Sequence, residues 1–232
     1  MFFRRSYQNE LMDNFSLDDD KVTQAHQELH IINKFLGGNS VTQSGLNYFK
    51  HATWPTINIL DVGGGASDIL YDIQVYNHSI KIYSMDLNPH ICHIQKFKRG
   101  NDKIVCADVL DFPFKKESFD IIHSSLFLHH FREDEIIHLL KIFLGAAKTG
   151  IVINDLRRNI IAYLGIGLLT RILSKNDYVK FDGPLSVKRA FIKKDLITIF
   201  RNAGIKNYTI KRKWAFRFLI IIPVSKNARN RF

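Results

Sequence analysis

The chain of 232 residues, 46% hydrophobic with a formal net charge of +11, is long enough for one sizeable α/β domain and too short for two. Cys92 and Cys106 provide neither a disulfide framework nor the spacing of metal ligands, so we expect no metal site. Because no apolar signal core follows the first residues and no apolar run reaches the ~20 residues that span a bilayer, we expect a cytoplasmic protein without transmembrane helices.

Two helices are predicted before the first strand. Asp18 to Asp20 can cap a helix that runs to about Phe35, because apolar residues recur at helical spacing along it. Gly37-Gly38 should stop that helix. A second, shorter helix is predicted around Thr42 to Lys50. Both helices are expected to form a partial lid, or else only to pack against the strands that follow.

A glycine-rich stretch follows the first predicted strand. Residues 57–62 form the short apolar run of a buried parallel strand, which ends in Gly63, Gly64 and Gly65. Glycines at this place let the backbone approach a ligand where a Cβ would clash. A dinucleotide turn would need a further glycine at position 68, where Asp68 would instead repel a pyrophosphate. The stretch therefore predicts a nucleotide-type cofactor that binds without a pyrophosphate.

The same stretch resembles a known signature. Asp61, Gly63 and Gly65 match the Asp-x-Gly-x-Gly-x-Gly pattern of class I methyltransferases, with Ser67 in place of the last glycine. The resemblance implies that the cofactor is S-adenosylmethionine, a sulfonium cation without a phosphate. It also implies that Asp61 contacts the methionine amino group and that the glycine turn, Gly64 included, lies under the methionine and ribose. A tight turn without a ligand would explain one glycine, but it would hardly explain three in succession.

Acidic residues end the second and third predicted strands. Asp86 is placed to accept hydrogen bonds from ribose hydroxyls, although it could instead cap the helix that opens at Asn88-Pro89. The resemblance implies that Leu87 lies against the adenine. It further implies that Asp108 accepts from the exocyclic amine of the adenine, while the backbone N–H of Val109 meets a ring nitrogen.

Candidate catalytic bases lie on or after the fourth predicted strand, residues 118–125. Methyl transfer needs an aligned acceptor, and a phenol or an enolisable carbon must also lose a proton, for which histidine is the natural base. The candidates are His129, His130 and His123, with Asp155 a less basic fourth. His129 is preferred because it follows the carboxyl end of the strand, where acceptors bind in α/β folds. Adjacent histidines can also have purely structural roles.

Two longer runs of residues resemble particular groups of methyltransferases. The run from Asp108 through His130 resembles methyltransferases of the ubiquinone/menaquinone-biosynthesis type, and the cofactor site that this implies includes Ser124. Residues 154–158 and 183–191 also resemble a subgroup associated with type III polyketide synthases. Together these resemblances imply methylation of a lipophilic small molecule, such as a phenol, polyketide or quinone-like compound, at oxygen more readily than at carbon.

The basic charge is concentrated in the last third of the chain. Residues 1–155 hold 15 Lys/Arg and 19 Asp/Glu, whereas residues 156–232 hold 18 and 3. A basic face attracts a membrane surface, an anionic carrier or nucleic acid, or it serves only solubility. Nucleic acid is disfavoured because residues 124–127 read Ser-Ser-Leu-Phe, not the Asn/Asp-Pro-Pro-aromatic motif of amino-directed nucleic-acid methyltransferases. An RNA methyltransferase and a non-catalytic cofactor-binding scaffold remain the alternatives.

The alternation of strands and helices after residue 57 predicts a Rossmann-like, doubly wound sheet. We expect seven strands, mostly parallel with an antiparallel last strand, in a single domain. Its expected segments are an N-terminal helical lid (1–54), a cofactor-binding core (55–156), a cap insertion (157–190) and a C-terminal helix with a β-hairpin (191–232). Residues 160–173 are apolar nearly all round, so a helix there must be buried or lie at a membrane interface.

Overall fold

A computed structural model describes residues 4–14, 19–49, 56–65, 69–74, 80–99 and 103–224. Asp18, Lys50, Ser67 and Asp68, which entered the predictions, lie outside these ranges. The strands are β1 (Ile57–Val62), β2 (Ile80–Asp86), β3 (Ile104–Cys106), β4 (Phe119–Ser125), β5 (Ala147–Leu156), β6 (Thr209–Lys213) and β7 (Arg217–Pro223). The helices are α1 (Asp19–Phe35), α2 (Gly38–Leu46), α3 (Ile69–Gln74), α4 (Pro89–Arg99), α5 (Glu133–Ala146), α6 (Ile160–Leu173), α7 (Asp177–Arg189) and α8 (Lys193–Asn202).

The strands form one sheet of order β3-β2-β1-β4-β5-β7-β6. The first five pair in parallel, and β7 is antiparallel to both β5 and β6. The predicted Rossmann-like, doubly wound sheet is therefore confirmed. The chain moves outward from β1 to β3 and then returns to place β4 on the other side of β1. This reversal creates a switch point between β1 and β4, where open α/β sheets bind their ligands.

Hydrophobic cores cover both faces of the sheet. Ile59 and Leu60 are adjacent on β1, and both are buried, but they belong to opposite cores because successive side chains of a strand alternate. Leu60 packs in the core that contains Phe143 of α5, and Ile59 packs in the core that contains Val41 of α2. Burial on both faces explains why the central strands have near-continuous apolar sequences.

The second helix begins earlier than the sequence predicts. It starts at Gly38 rather than near Thr42, because Gly37 alone reverses the chain, with a left-handed φ of +80°. Val41 N then donates to Gly37 O at 3.1 Å, so the first turn of α2 forms directly after that residue. The two glycines thus end one helix and start the next within a single turn.

A smaller cluster joins the segments before and after the central sheet. Ala25 and Ile32 of α1 pack with Val179 of α7, and Leu29 of α1 and Ile166 of α6 pack against them. The cluster places α1, α6 and α7 together over the carboxyl ends of the central strands.

Among the described residues, no helix is long and apolar enough to cross a bilayer.

Candidate active site

A cavity of about 770 Å³ opens at the switch point between β1 and β4. Its floor consists of the glycine turn after β1 and the residues that follow β2, β3 and β4. The segment 9–13, α1, α6, α7 and the turn between β6 and β7 cover it. Its size falls in the range of roughly 300–1,000 Å³ that small-molecule sites occupy.

The glycine turn is held in a conformation that other residues would strain. Gly63 has φ +65° and Gly65 has φ +54°, both in the left-handed region. A Cβ on Gly63 would overlap the ring of Phe127, and one on Gly64 would lie 2.8 Å from Oδ2 of Asp61. All three glycines line the cavity, so the backbone itself forms that part of the wall.

Asp61 lies behind this turn, at the end of a buried hydrogen-bond chain. His123 Nδ1 is 2.7 Å from Asp61 Oδ1, and His123 Nε2 is 3.0 Å from Thr42 Oγ1. Asn154 Nδ2 donates to the same Thr42 oxygen at 3.2 Å. A carboxylate oxygen only accepts, so His123 Nδ1–H donates to Asp61, and in this tautomer of the neutral ring Nε2 accepts from the Thr42 hydroxyl. This chain of hydrogen bonds fixes the orientation of the Asp61 carboxylate.

The structure corrects two predictions at β4. His123 is fully buried, both of its ring nitrogens are engaged, and it does not line the cavity. It therefore cannot contact an acceptor as a base. Ser124 is also buried and does not line the cavity, whereas Ser125 does. Successive residues of a strand face opposite sides, so one position separates a core residue from a site residue.

Asp86 links β2 to the glycine turn. Its Oδ2 accepts from Gly65 N at 2.9 Å, and its Oδ1 accepts from Asn88 N at 3.0 Å. Desolvation raises the pKa of Asp86. The hydrogen bonds from these backbone N–H groups lower it, but the desolvation is the larger effect. Helix α4 is capped by Asn88, whose Oδ1 accepts from His90 N at 2.9 Å. Asp86 is therefore not the cap of α4, and it lines the cavity with the half-exposed Leu87.

Asp108 follows β3 and begins a short helical turn in the cavity wall beside Asp86. Its Oδ1 accepts from Leu110 N at 2.9 Å and caps the single turn Val109–Asp111. Asp108 and Val109 both line the cavity. The structure thus brings the predicted residues of three strand ends to one side of the cavity.

His129 forms a buried pair with Asp155 at the opposite side. His129 Nδ1 is 2.7 Å from Asp155 Oδ1, and the His129 backbone N–H donates to Oδ2 at 3.3 Å. Burial would raise the pKa of Asp155, but the neighbouring His129 holds it below its ordinary value. His129 lines the cavity, and its Nε2 lies 3.7 Å from Glu10 Oε1.

His130 belongs to a second ion pair, which ties the N-terminal segment to the site. Its Nδ1 is 2.9 Å from Asp13 Oδ1, and its Nε2 is 3.9 Å from Glu10 Oε2. Arg189 of α7 donates to Asp13 Oδ2 at 2.8 Å and to the His130 carbonyl at 2.6 Å. The sequence predictions missed Glu10, Asp13 and Arg189, because no periodicity or spacing links residues so far apart in the chain.

Glu10, His129 and His130 also present one ligand atom each within 4.8 Å of one another. Each histidine has its other ring nitrogen on a carboxylate, as metal-binding histidines do, so the three residues could hold an ion. However, Arg189 Nε lies 3.9 Å from Glu10 Oε1. Its fixed positive charge opposes a dication at this cluster.

The chain also matches a known family. Residues 60–152 match the family model described as a methyltransferase domain, and this range contains the glycine turn, Asp61 and Asp86 at the ends of β1 and β2, and Asp108 after β3. Over this segment, which is less than half of the chain, the protein is similar to methyltransferase domains. The narrower likenesses, to the ubiquinone/menaquinone-biosynthesis type and to the polyketide-associated subgroup, stay predictions. No curated protein sequence matches this chain significantly.

Solved structures share the fold of this chain. The plantazolicin methyltransferase BpumL in complex with SAH is 15% identical, with a TM-score of 0.68 over 93% of this chain and 94% of that one. Human N-acetylserotonin methyltransferase in complex with SAM is 15% identical, with a TM-score of 0.63 over 95% and 64%. A SAM-dependent methyltransferase from Aquifex aeolicus is 14% identical, with a TM-score of 0.58 over 90% and 100%.

The His130 ion pair predicts a pH-dependent stability of the protein. Burial alone would lower the pKa of His130, but the carboxylates of Glu10 and Asp13 raise it, against the charge of Arg189. A histidine with a raised pKa stabilises the fold fully below its unfolded pKa of ~6.5, and that stability is lost as the pH rises through the folded pKa.

We therefore expect the melting temperature of the wild type to fall above about pH 6.5 relative to that of His130→Gln, which cannot bind the proton. Melting curves of both proteins between mildly acidic and alkaline pH measure this difference. Two curves that stay parallel across the range would show that His130 takes up no additional proton on folding.

Proposed function

We propose that the protein is an S-adenosylmethionine-dependent methyltransferase that methylates a lipophilic small molecule, at oxygen rather than at carbon. The observation that carries the proposal is the contrast within one cavity. Leu29, Ile166 and Leu169 belong to the apolar part of the wall, whereas the His129–Asp155 pair lies at one end. A largely apolar pocket with a few convergent polar groups suits an apolar acceptor that is oriented at one reacting atom.

The chain's own residues fit S-adenosylmethionine on the glycine side of the cavity. Gly63, Gly64 and Gly65 line the cavity there, and a Cβ on Gly63 or Gly64 would clash with Phe127 or Asp61 and displace this wall. Asp86 is partly buried, and desolvation raises its pKa, which a pair of ribose hydroxyl donors would offset. We assign the adenine to the wall at Leu87, Asp108 and Val109. When bound, the cofactor supplies an electrophilic methyl group.

We assign Asp61 a positioning role. Its carboxylate faces Gly64 and His123 rather than the cavity, so it acts on the methionine end through the glycine turn. Ser125, which lines the cavity, takes the place that the sequence suggested for Ser124.

The acceptor is proposed to lie between the lid of residues 1–54 and the cap of residues 157–190. Described parts of both segments cover the cavity and share one apolar cluster. BpumL has been crystallised with a triazolic desmethylPZN analog and SAH, at a TM-score of 0.69 to this chain. In BpumL, a protein of this fold therefore holds an organic molecule together with SAH. This supports an acceptor site beside the cofactor site in the proposed enzyme.

His129 is proposed to remove the acceptor proton. Asp155 accepts from Nδ1–H, which leaves Nε2 as the basic nitrogen and fixes the plane of the ring. The surrounding apolar walls exclude water, and the lid and cap align the acceptor with the methyl group. Positioning and desolvation then supply most of the rate, and His129 supplies the proton transfer.

The test is an acceptor panel with purified protein. Calorimetry with S-adenosylmethionine first establishes cofactor binding, and mass spectrometry then follows methyl transfer to phenols, β-dicarbonyl compounds, alkyl amines and RNA oligonucleotides. We expect methyl ethers from apolar phenols. Exclusive transfer to RNA, or cofactor binding without turnover on any acceptor, would overturn the proposal.

A further inference from the structure

Helix α6 has two apolar sides with different surroundings. One side faces the cavity through Ile161, Ala162, Gly165, Ile166 and Leu169. The helix therefore separates the proposed acceptor site from the outside. The opposite side of α6 faces away from the cavity.

That outer side is a stripe of large apolar residues in solvent. Ile160, Leu164, Leu168 and Ile172 recur at every fourth position and are 48%, 62%, 63% and 69% exposed. Residues four apart on a helix are neighbours, so these side chains form one continuous surface. A contiguous exposed apolar surface usually marks a site that binds another apolar surface.

Exposed basic residues lie at the C-terminal end of this α6 stripe. Residues 157–176 contain four basic residues and no acidic residue. Arg158 is held inside by Asp195 at 3.1 Å, but Arg171 and Lys175 are exposed at the far end of the helix. Apolar stripes with Lys and Arg at their edges are typical of helices that lie in the plane of an anionic membrane.

An exposed tryptophan lies beyond the other end of the helix. Trp214 is 75% exposed in the turn between β6 and β7 and lines the mouth of the cavity. The Arg157 backbone N–H donates to Phe216 O at 2.7 Å, so this turn adjoins the start of α6. Lys211 and Arg212, which precede the turn, are exposed. Tryptophan is enriched at membrane–water interfaces, where its ring is half in the apolar layer.

We propose that the α6 stripe and Trp214 dock the protein on an anionic phospholipid surface. Docking in this way goes beyond the proposed reaction and does not require it. A second copy of the chain is a poorer partner. In a two-fold dimer the α6 stripes of both copies would face each other, and their basic residues would repel. A phosphate backbone matches the charge, but it leaves the stripe in water.

The test is co-sedimentation with vesicles. We expect the wild type to pellet with vesicles of equal parts phosphatidylglycerol and phosphatidylcholine, and less with phosphatidylcholine alone. Leu164→Gln/Leu168→Gln should lower the bound fraction about fivefold or more, because these two residues do not line the cavity but form the centre of the stripe. The matched control is Phe97→Ser, which removes an 89% exposed residue of α4 and should bind like the wild type.

Three results would overturn the proposal. The wild type could stay in the supernatant with anionic vesicles at low salt, or the double variant could bind as strongly as the wild type. Light scattering could also show a wild-type dimer that the double variant abolishes, which would assign the stripe to a second copy. Melting curves and calorimetry with S-adenosylmethionine should be unchanged in the double variant, so loss of docking is distinguishable from loss of fold or of cofactor binding.

Discussion

His129→Asn should lower turnover by about 10²–10⁴-fold on an acceptor that must lose a proton. The asparagine amide can still donate to Asp155 from near the position of Nδ1, so the buried carboxylate keeps a partner. It has no basic nitrogen toward the cavity. If this base limits the wild-type rate toward acidic pH, that limb of the pH–rate profile should be absent in the variant.

The choice of substitution matters because His129 also has a structural role. His129→Ala would leave Asp155 charged and buried without its ring partner, which destabilises a protein by about 3–5 kcal/mol. Loss of activity in that variant could then reflect unfolding. His129→Asn separates the two effects, provided that its melting temperature and its affinity for S-adenosylmethionine stay close to those of the wild type.

Asp155→Asn is the complementary variant. An amide at this position no longer holds Nδ1–H, so the imidazole loses its preferred tautomer and turnover should also fall. The pH–rate profile of kcat/KM for the wild type and both variants is the measurement. A folded His129→Asn protein with near-normal kcat would remove His129 from the reaction and leave His130 as the next base to test, since His123 does not reach the cavity.

The glycine turn and the acids after β2 and β3 could be placed from local sequence alone. Gly63 to Gly65, Asp86 and Asp108 each follow a short apolar strand. Parallel strands in one sheet end at the same edge, so residues just after them must converge. The side of the cavity formed by these residues therefore follows from the order of strands and helices.

The sequence could not distinguish Ser124 from Ser125. Strand β4 is buried on both faces, so its sequence has no alternation of polar and apolar residues to identify the side that faces a ligand. His123 was misplaced for the same reason. Its partners Asp61 and Thr42 come from β1 and α2, and only the folded chain brings them together.

The polar end of the cavity depends on contacts that no local pattern contains. Glu10 and Asp13 come from a segment without regular strands or long helices, and they meet Arg189 of α7 only after the lid has packed. The apolar character of α6, in contrast, was evident in the sequence. The structure was needed to show that one side faces the cavity and the other faces solvent.

The second large effect concerns Asp86. In Asp86→Ala, affinity for S-adenosylmethionine should fall by about 2 kcal/mol, or roughly 30-fold, because two ribose hydroxyls lose their charged acceptor. The carboxylate also accepts from Gly65 and Asn88, so its loss loosens the glycine turn. Asp134→Ala, which removes an exposed acid of α5, is the control and should bind like the wild type.

The pH dependence of binding gives Asp86 a second, independent signature. Burial raises the pKa of this carboxyl, so it becomes protonated at a higher pH than an exposed Asp and then accepts hydrogen bonds less well. Wild-type affinity should therefore weaken toward acidic pH, whereas the affinity of Asp86→Ala should change little. Calorimetric titrations at several pH values measure both effects. A folded Asp86→Ala protein that binds S-adenosylmethionine as tightly as the wild type would place the ribose elsewhere in the cavity.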